Sequence, residues 1–115
     1  MFKIYAFLKI TAIAVCISCF TVSVVQAQQA VDINVSYSNG QFQPAEIVGP
    51  ADKSISLHVK NLDAKAMEFE SKSLRGEKVV AAKSEGVINI RPLKPGRYEF
   101  YDDFNEKARG ALNVQ

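Results

Sequence analysis

Apolar and polar residues alternate with a period of two over most of the chain after residue 30. In the segment VDINVSY the apolar positions are Val31, Ile33, Val35 and Tyr37, and the segment SISLHVKN alternates in the same way. This period turns one side of a segment toward a core and the other toward solvent, which is typical of a half-buried β-strand. A further strand is predicted over QFQPAEIVGP, where Pro44 suggests a sheet edge or a bulge. Short strands are also predicted over the segments MEFES, KVVA, GVINI, RYEFY and GALNV.

Turn-forming residues separate the predicted strands. Asn39-Gly40 is a turn signal, and Pro92, Pro95 and Gly96 come just before the aromatic segment RYEFY. No window of the sequence has the apolar spacing of an amphipathic helix, and no internal repeat is visible. Seven or eight short strands within residues 28–115 indicate an all-β fold, either a sandwich or a small barrel. Of these two folds we predict a Greek-key β-sandwich.

The first 27 residues have a different pattern. Lys3 and Lys9 are followed by a long apolar run without charge that ends in Val25-Gln26-Ala27. A basic start, an apolar middle and small residues at the end are the features of a secretory signal peptide. We therefore expect export, cleavage after Ala27 and one mature domain over residues 28–115. A membrane anchor is the alternative, because the run is long enough to span about 30 Å of hydrocarbon.

Loss of this segment changes the chemistry available to the mature domain. Both cysteines of the chain, Cys16 and Cys19, leave with it, so that neither a disulfide nor a thiolate site can form. Lys3 and Lys9 leave as well, and the 14 basic residues of the full chain fall to the same number as the 12 acidic ones. A domain without excess positive charge lacks the electrostatic basis for binding nucleic acid.

The closing segment GRYEFYDDFNEKARG resembles the last strand, loop and strand of the cupredoxins, which are small copper-binding sandwich proteins. Their pattern in this region is roughly G-x-Y-x-Y/F-x-C-x-x-H-x-x-M-x-G. Its frame is matched by Gly96, Tyr98, Phe100 and Gly110. At the ligand positions, Asp102 stands for the cysteine, Asn105 for the histidine and Ala108 for the methionine. Upstream, the segment NLDAKAM resembles the cupredoxin segment that carries the first copper histidine, and Met67 occupies that histidine's position.

All four ligand positions of a type 1 copper site are therefore altered. Such a site requires a thiolate and imidazoles, whereas the mature domain has no cysteine and has His58 as its single histidine. His58 alternates onto the polar side of its strand. We expect no type 1 copper and no blue-copper electron transfer.

Three longer segments resemble the EfeO-type cupredoxin-like domains of bacterial iron uptake systems. They are MEFESKSLRGEKVV, PLKPGRYEFYDDF and RGALNV. This resemblance implies a periplasmic protein that works beside a ferrous iron permease and other iron uptake components, and that binds an iron or copper ion. The family commonly has a histidine after the D-D-F of the last loop, where this chain has Asn105.

The candidate metal site consists of Met67, Glu68, Asp102, Asp103 and Asn105. Strand parity turns Met67 and Asp102 inward at one pole of the sandwich. A buried carboxylate is costly unless it is paired, hydrogen-bonded or bound to a metal, so Asp102 is either a metal ligand or a structural cap for the turn. Oxygen ligands favour ferric iron and a thioether favours cuprous copper, although Met67 can equally be core filler.

Two acidic residues of the same strand have the opposite parity. Glu68 and Glu70 face away from Met67, either as a solvated strand surface or, with Glu77, as an acidic patch for a partner or a metal.

No catalytic constellation is visible, because no serine or cysteine nucleophile can be placed beside a histidine base. We therefore predict that the protein is not an enzyme. Two functions remain open. The first is a periplasmic metal-binding accessory protein of ferrous iron uptake, with iron or copper as its ion. The second is a metal-free β-sandwich that binds another protein in the periplasm.

Overall fold

A computed structural model of the chain describes Cys16, residues 18–23 and residues 29–115. The predicted signal peptide, residues 1–27, lies mostly outside the described residues, and its cleavage after Ala27 stays a prediction. Within the described part of the chain, no helix is both long and apolar enough to cross a membrane.

The described residues form nine strands in two sheets. Their bounds are β1 (Val31–Ser38), β2 (Gln41–Gln43), β3 (Glu46–Gly49), β4 (Ile55–Asn61), β5 (Met67–Ser71), β6 (Gly76–Val80), β7 (Glu85–Ile90), β8 (Gly96–Asp102) and β9 (Asn105–Val114). One sheet has the order β2-β1-β4-β7 and the other has the order β3-β9-β8-β5-β6. The predicted all-β Greek-key sandwich is confirmed. In each sheet one neighbouring pair is parallel, β1 with β4 and β3 with β9.

The strand count exceeds the predicted seven or eight because the segment QFQPAEIVG is divided between the two sheets. Its first part, β2, pairs with β1, and its second part, β3, pairs with β9. Pro44 lies between the two parts. Both parts are edge strands, the position in a sheet where a nearby proline is tolerated because no ladder hydrogen bond is lost.

The core lies between the sheets and is built from inward residues of all nine strands; β6 contributes only its last residue, Val80. Its centre is aromatic: Phe42 has its ring 4.9 Å from that of Phe100 and 6.5 Å from that of Phe69, both edge to face. Phe69 and Phe100 are fully buried, and burial of each such side chain contributes about 1.5–3 kcal/mol. This cluster packs β5 and β8 against the β1–β2 hairpin.

Gly110 allows β9 to pack directly over the aromatic cluster. A Cβ atom at this position would lie 2.5 Å from Cε2 of Phe100 and 2.7 Å from the carbonyl oxygen of Ala45. Contacts this short do not occur between real atoms, so any side chain here would displace the ring. The glycine at the end of the cupredoxin-like pattern therefore has a packing role in this chain.

Candidate functional site

Asp102 is the buried carboxylate of the pole at which β5 begins and β8 ends. The side chain is 2% exposed, which confirms the inward orientation predicted from strand parity. Its Oδ1 accepts hydrogen bonds from the backbone N–H groups of Glu68 and Phe104, each at 2.9 Å. Its Oδ2 accepts a hydrogen bond of 2.5 Å from the hydroxyl of Tyr37. The carboxylate thus joins β5, the β8–β9 turn and β1.

Tyr37 is the residue of this site that the sequence analysis did not include. The side-chain hydrogen-bond partner of the buried carboxylate is a phenol on the opposite sheet. Burial raises the pKa of Tyr37 to about 12, with a further contribution from its hydrogen bond to Asp102. The alternation in β1 places Tyr37 inward near the end of its strand. An inward side chain with a polar tip is therefore the feature of the sequence that could have identified Tyr37 as part of this site.

Met67 and Asn105 occupy different surroundings at this pole. Met67 is completely buried and belongs to the hydrophobic core. Asn105 is exposed at the start of β9, where it pairs with Asp102 and lines the same cavity as Tyr37. Asn105 also lies against Gly40, at which an added Cβ would be 3.0 Å from the amide nitrogen.

The remaining two candidate residues lie on the outer face of the five-stranded sheet. Glu68, Glu70 and Asp103 each offer a carboxylate oxygen, and these oxygens lie within 4.8 Å of one another. Glu68 and Glu70 are half-buried and Asp103 is exposed. The backbone N–H of Asp103 donates to the carbonyl oxygen of Glu68 at 2.8 Å, which holds the turn beside β5. The structure therefore divides the predicted five-residue set between the inner pole and this outer face.

Burial and the neighbouring acids raise the pKa values of Glu68 and Glu70. A hydrogen bond with Glu77 and partial burial raise the pKa of Glu68 to about 7, and the charges of Glu77, Asp103 and Glu70 add to the shift. Burial, followed by the charge of Asp103, raises the pKa of Glu70. We name Glu68, Glu70 and Asp103 the outer acidic cluster. It is a place where a bound cation would relieve electrostatic repulsion.

His58 lies far from both groups, on the outer face of the four-stranded sheet, as its parity predicts. Its Nε2 is 2.9 Å from Oδ1 of Asp32, and its Nδ1 is 2.6 Å from Oε1 of Glu85. These hydrogen bonds raise the pKa of His58, the bond to Asp32 contributing most. Both ring nitrogens face carboxylates, so this geometry suits the doubly protonated imidazolium.

The two mixed sheets, with the β8–β9 turn closing one pole, define a cupredoxin-like β-sandwich. Residues 9–114 match the family described as cupredoxin-like domain, and the chain belongs to that family. An uncharacterized protein of Rickettsia prowazekii (strain Madrid E) is 33% identical to this chain over 84 residues, which is 72% of this chain and 67% of that protein.

Solved structures share the same fold. The metal-binding domain of the Cu(I)-exporting P-type ATPase CopA of Streptococcus pneumoniae D39, determined with Cu(I), has a TM-score of 0.68 and 16% identity, covering 78% of this chain and 91% of that one. A copper binding protein determined in the apo form by NMR has a TM-score of 0.66 and 18% identity, covering 78% and 93%. Auracyanin B has a TM-score of 0.65 and 15% identity, covering 82% and 95%. At these identities the likeness establishes the fold alone.

Proposed function

We propose that this protein is a periplasmic metal-binding accessory protein of bacterial ferrous iron uptake, and that it holds an iron or copper ion at the outer acidic cluster. One observation carries the proposal: three carboxylate oxygens from Glu68, Glu70 and Asp103 lie within 4.8 Å of one another. A single ion can reach all three. Hydrogen bonding with Glu77 and burial raise the pKa of Glu68, burial raises that of Glu70, and the neighbouring acidic charges add to both shifts, so a bound cation would favour the ionised carboxylates.

The ligand chemistry favours a hard ion. Carboxylate oxygens suit iron better than cuprous copper, although cupric copper binds oxygen and nitrogen sites more tightly than other divalent ions of its row. The proposed function does not involve a type 1 copper centre. The donors at the pole are the carboxylate of Asp102, the phenol of Tyr37 and the amide of Asn105. A type 1 copper centre requires a thiolate and imidazoles, which these three groups do not supply.

The cellular context of the proposal rests on the resemblance to the EfeO-type domains. Export through a cleaved signal peptide would place the domain in the periplasm, beside a ferrous iron permease. The protein would act there without catalysis, by binding the ion.

A metal titration of residues 28–115, which contain all nine strands, tests the proposal. Isothermal calorimetry with Fe(II), ferric nitrilotriacetate and Cu(II) is compared between the parent and the Glu68→Gln/Glu70→Gln double variant. Glu106→Gln serves as the matched control, because it removes an exposed acid that is not a member of the cluster. His58→Gln is a second control: it removes the imidazole, so copper that binds at His58 and not at the cluster is detected as a loss of binding in this variant.

We expect binding of one ion that is weakened at least tenfold in the double variant and retained in both controls. If every ion binds more weakly than about 1 mM, which corresponds to about 4 kcal/mol, the metal-binding function is wrong. The second candidate function, a metal-free interaction module, would then be favoured. It has its own support in Asp102, both of whose oxygens are engaged in hydrogen bonds within the protein.

A further inference from the structure

The edge of β9 that faces away from β8 is covered by a neighbouring strand over only part of its length. β3 pairs with residues 111–114, and no other strand of the described residues lies beside residues 105–110 on that edge. The chain enters the five-stranded sheet only after Pro44, because the residues before it form β2 in the other sheet. We call the uncovered edge of residues 105–110 the β9 notch.

The backbone of the notch presents polar groups to solvent. The N–H of Ala111 donates to the carbonyl oxygen of Ala45 at 2.8 Å, so the polar groups of Ala111 point to the β3 side. Hydrogen-bonded and non-hydrogen-bonded positions alternate along an antiparallel ladder. The N–H and C=O of Arg109, two residues earlier, therefore point to the same side, where the described part of the chain provides no strand. Such an edge is a template for pairing with another extended chain.

Two cavities border the notch. One, of about 240 Å³, is lined by the buried core residues Phe42 and Ala108. The other, of about 170 Å³, includes Glu46 of the outer face. Ala45 and Arg109 line both. Because successive side chains of a strand point to opposite faces, an extended peptide in the notch would direct alternate side chains into an apolar recess and onto the outer face.

The exposed charged side chains beside the apolar recess are cations. They belong to Lys107 and Arg109, and neither takes part in an ion pair among the described residues. Two acids that line the outer cavity with Arg109, Glu46 and Glu99, are both bound by Arg97. The cations of the notch therefore remain available to a ligand.

Arg109 is held in place without losing its charge. Its guanidinium lies 5.2 Å from the ring centroid of Tyr101, and a stacked guanidinium still offers its N–H groups to a carboxylate. The single acid of β9, Glu106, lines a cavity on the outer face that also contains Lys72. Two cations against one acid leave the notch with an excess of positive charge.

We propose that the β9 notch is a strand-addition site for an extended segment of a partner protein, in which acidic residues alternate with small apolar ones. Backbone hydrogen bonds to Arg109 hold the segment beside β9. Its acidic side chains lie across from Arg109 on the outer face, and its apolar side chains enter the recess at Phe42 and Ala108. In this mode of recognition main-chain hydrogen bonds supply affinity and alternate side chains supply specificity. The inference does not depend on the metal-binding function proposed above.

A short peptide of alternating glutamate and valine, blocked at both ends and carrying a fluorophore, tests the proposal. Its binding to residues 28–115 is measured by fluorescence anisotropy without added metal, so the result is independent of the outer acidic cluster. One matched peptide has lysine in place of every glutamate. A second has a methyl group on every backbone nitrogen, which removes the N–H donors and keeps the charge.

The protein variants reverse charge inside and outside the notch. Lys107→Glu/Arg109→Glu reverses the notch, and Lys53→Glu/Lys60→Glu makes the same change of net charge at exposed positions elsewhere. Circular dichroism verifies that each variant is folded. Amide hydrogen exchange at Arg109 reports directly on strand addition in the parent.

We expect the glutamate peptide to bind the parent and to slow exchange of the Arg109 amide at least tenfold. Binding should weaken at least tenfold on reversal of the notch, on methylation of the peptide and on replacement of glutamate by lysine, and it should be retained in Lys53→Glu/Lys60→Glu.

Three results would overturn the proposal. If the parent does not bind the peptide, Lys107 and Arg109 only guard the edge against pairing. Equal binding of the methylated peptide would show charge attraction without strand addition. Protection of the Arg109 amide that rises with protein concentration in the absence of peptide would place a second copy of the chain in the notch.

Discussion

Replacement of Tyr37 by phenylalanine removes one hydroxyl from the pole and leaves the aromatic ring in place. The ring keeps its edge-to-face contact with Phe42, at 5.1 Å between centroids. The hydrogen bond to Asp102 is lost, and Oδ2 of that carboxylate is left without its protein donor. The substitution therefore isolates one bond that connects the two sheets.

The expected loss of stability follows from the acceptor of that hydrogen bond, which is a carboxylate. Hydrogen bonds to charged groups contribute about 1.5–3 kcal/mol. Water can replace part of this, because Tyr37 and Asp102 line a cavity of about 340 Å³. We expect a decrease of about 2 kcal/mol in the free energy of unfolding. For a domain of this size this lowers the melting temperature by roughly 10 °C. A domain with a stability of about 5–15 kcal/mol remains folded after such a loss.

Urea denaturation followed by circular dichroism measures the effect, since the chain has no tryptophan. The midpoint should fall while the slope stays unchanged. Tyr98→Phe is the control: its hydroxyl donates to the carbonyl of Lys94 at 2.7 Å on the surface, and its removal should cost less than about 1 kcal/mol. Equal losses in the two variants, or a loss below about 0.5 kcal/mol for Tyr37→Phe, would refute the reasoning. A double-mutant cycle with Asp102→Asn should give a coupling energy of about 1 kcal/mol or more.

Three further predictions concern other parts of the sandwich. Because the pKa of His58 is raised in the folded state, its stabilising effect is complete below the unfolded pKa of about 6.5 and is lost as the pH rises through the folded pKa. The melting temperatures of the parent and His58→Gln should therefore differ at pH 5.5 and converge in alkaline buffer. A difference that stays constant with pH would contradict this. Gly110→Ala should cost about 1–3 kcal/mol by overpacking against Phe100, whereas Gly96→Ala, with no neighbour nearer than 3.5 Å, should be nearly neutral in the same urea assay. Asn61→Ala leaves the carbonyls of Lys65, Val80 and Ala81 without their side-chain donor and should destabilise by about 2–3 kcal/mol; a loss no larger than that of an exposed asparagine such as Asn89 would refute it.

Much of the fold could be predicted from the period with which apolar and polar residues alternate along the sequence. Alternation identified the strands that now form β1, β4, β5, β7 and β8, and it correctly assigned Met67 and Asp102 to the inside and Glu68 and Glu70 to the outside. The division of one predicted segment into β2 and β3 was missed. Alternation reports the direction of a side chain but carries no information on which sheet accepts the strand's backbone hydrogen bonds.

The candidate site was predicted in part for the same reason. Acidic residues two positions apart on β5 are neighbours on one face by local geometry alone. Asp103 lies in the turn after β8, and it joins them because its backbone N–H donates to the carbonyl of Glu68 on the neighbouring strand. Contact between two strands is not visible in the period of one segment.

The sequence alone determined the strands, the inward and outward sides and the cupredoxin-like frame of the last loop, because these depend on residues close together along the chain. The tertiary structure decided what each polar residue does. Tyr37 and Asp102 are 65 positions apart, and they meet because the two sheets close over the aromatic core. Burial and hydrogen bonding between distant segments thus select the chemistry of the pole, whereas local spacing could only place a carboxylate there.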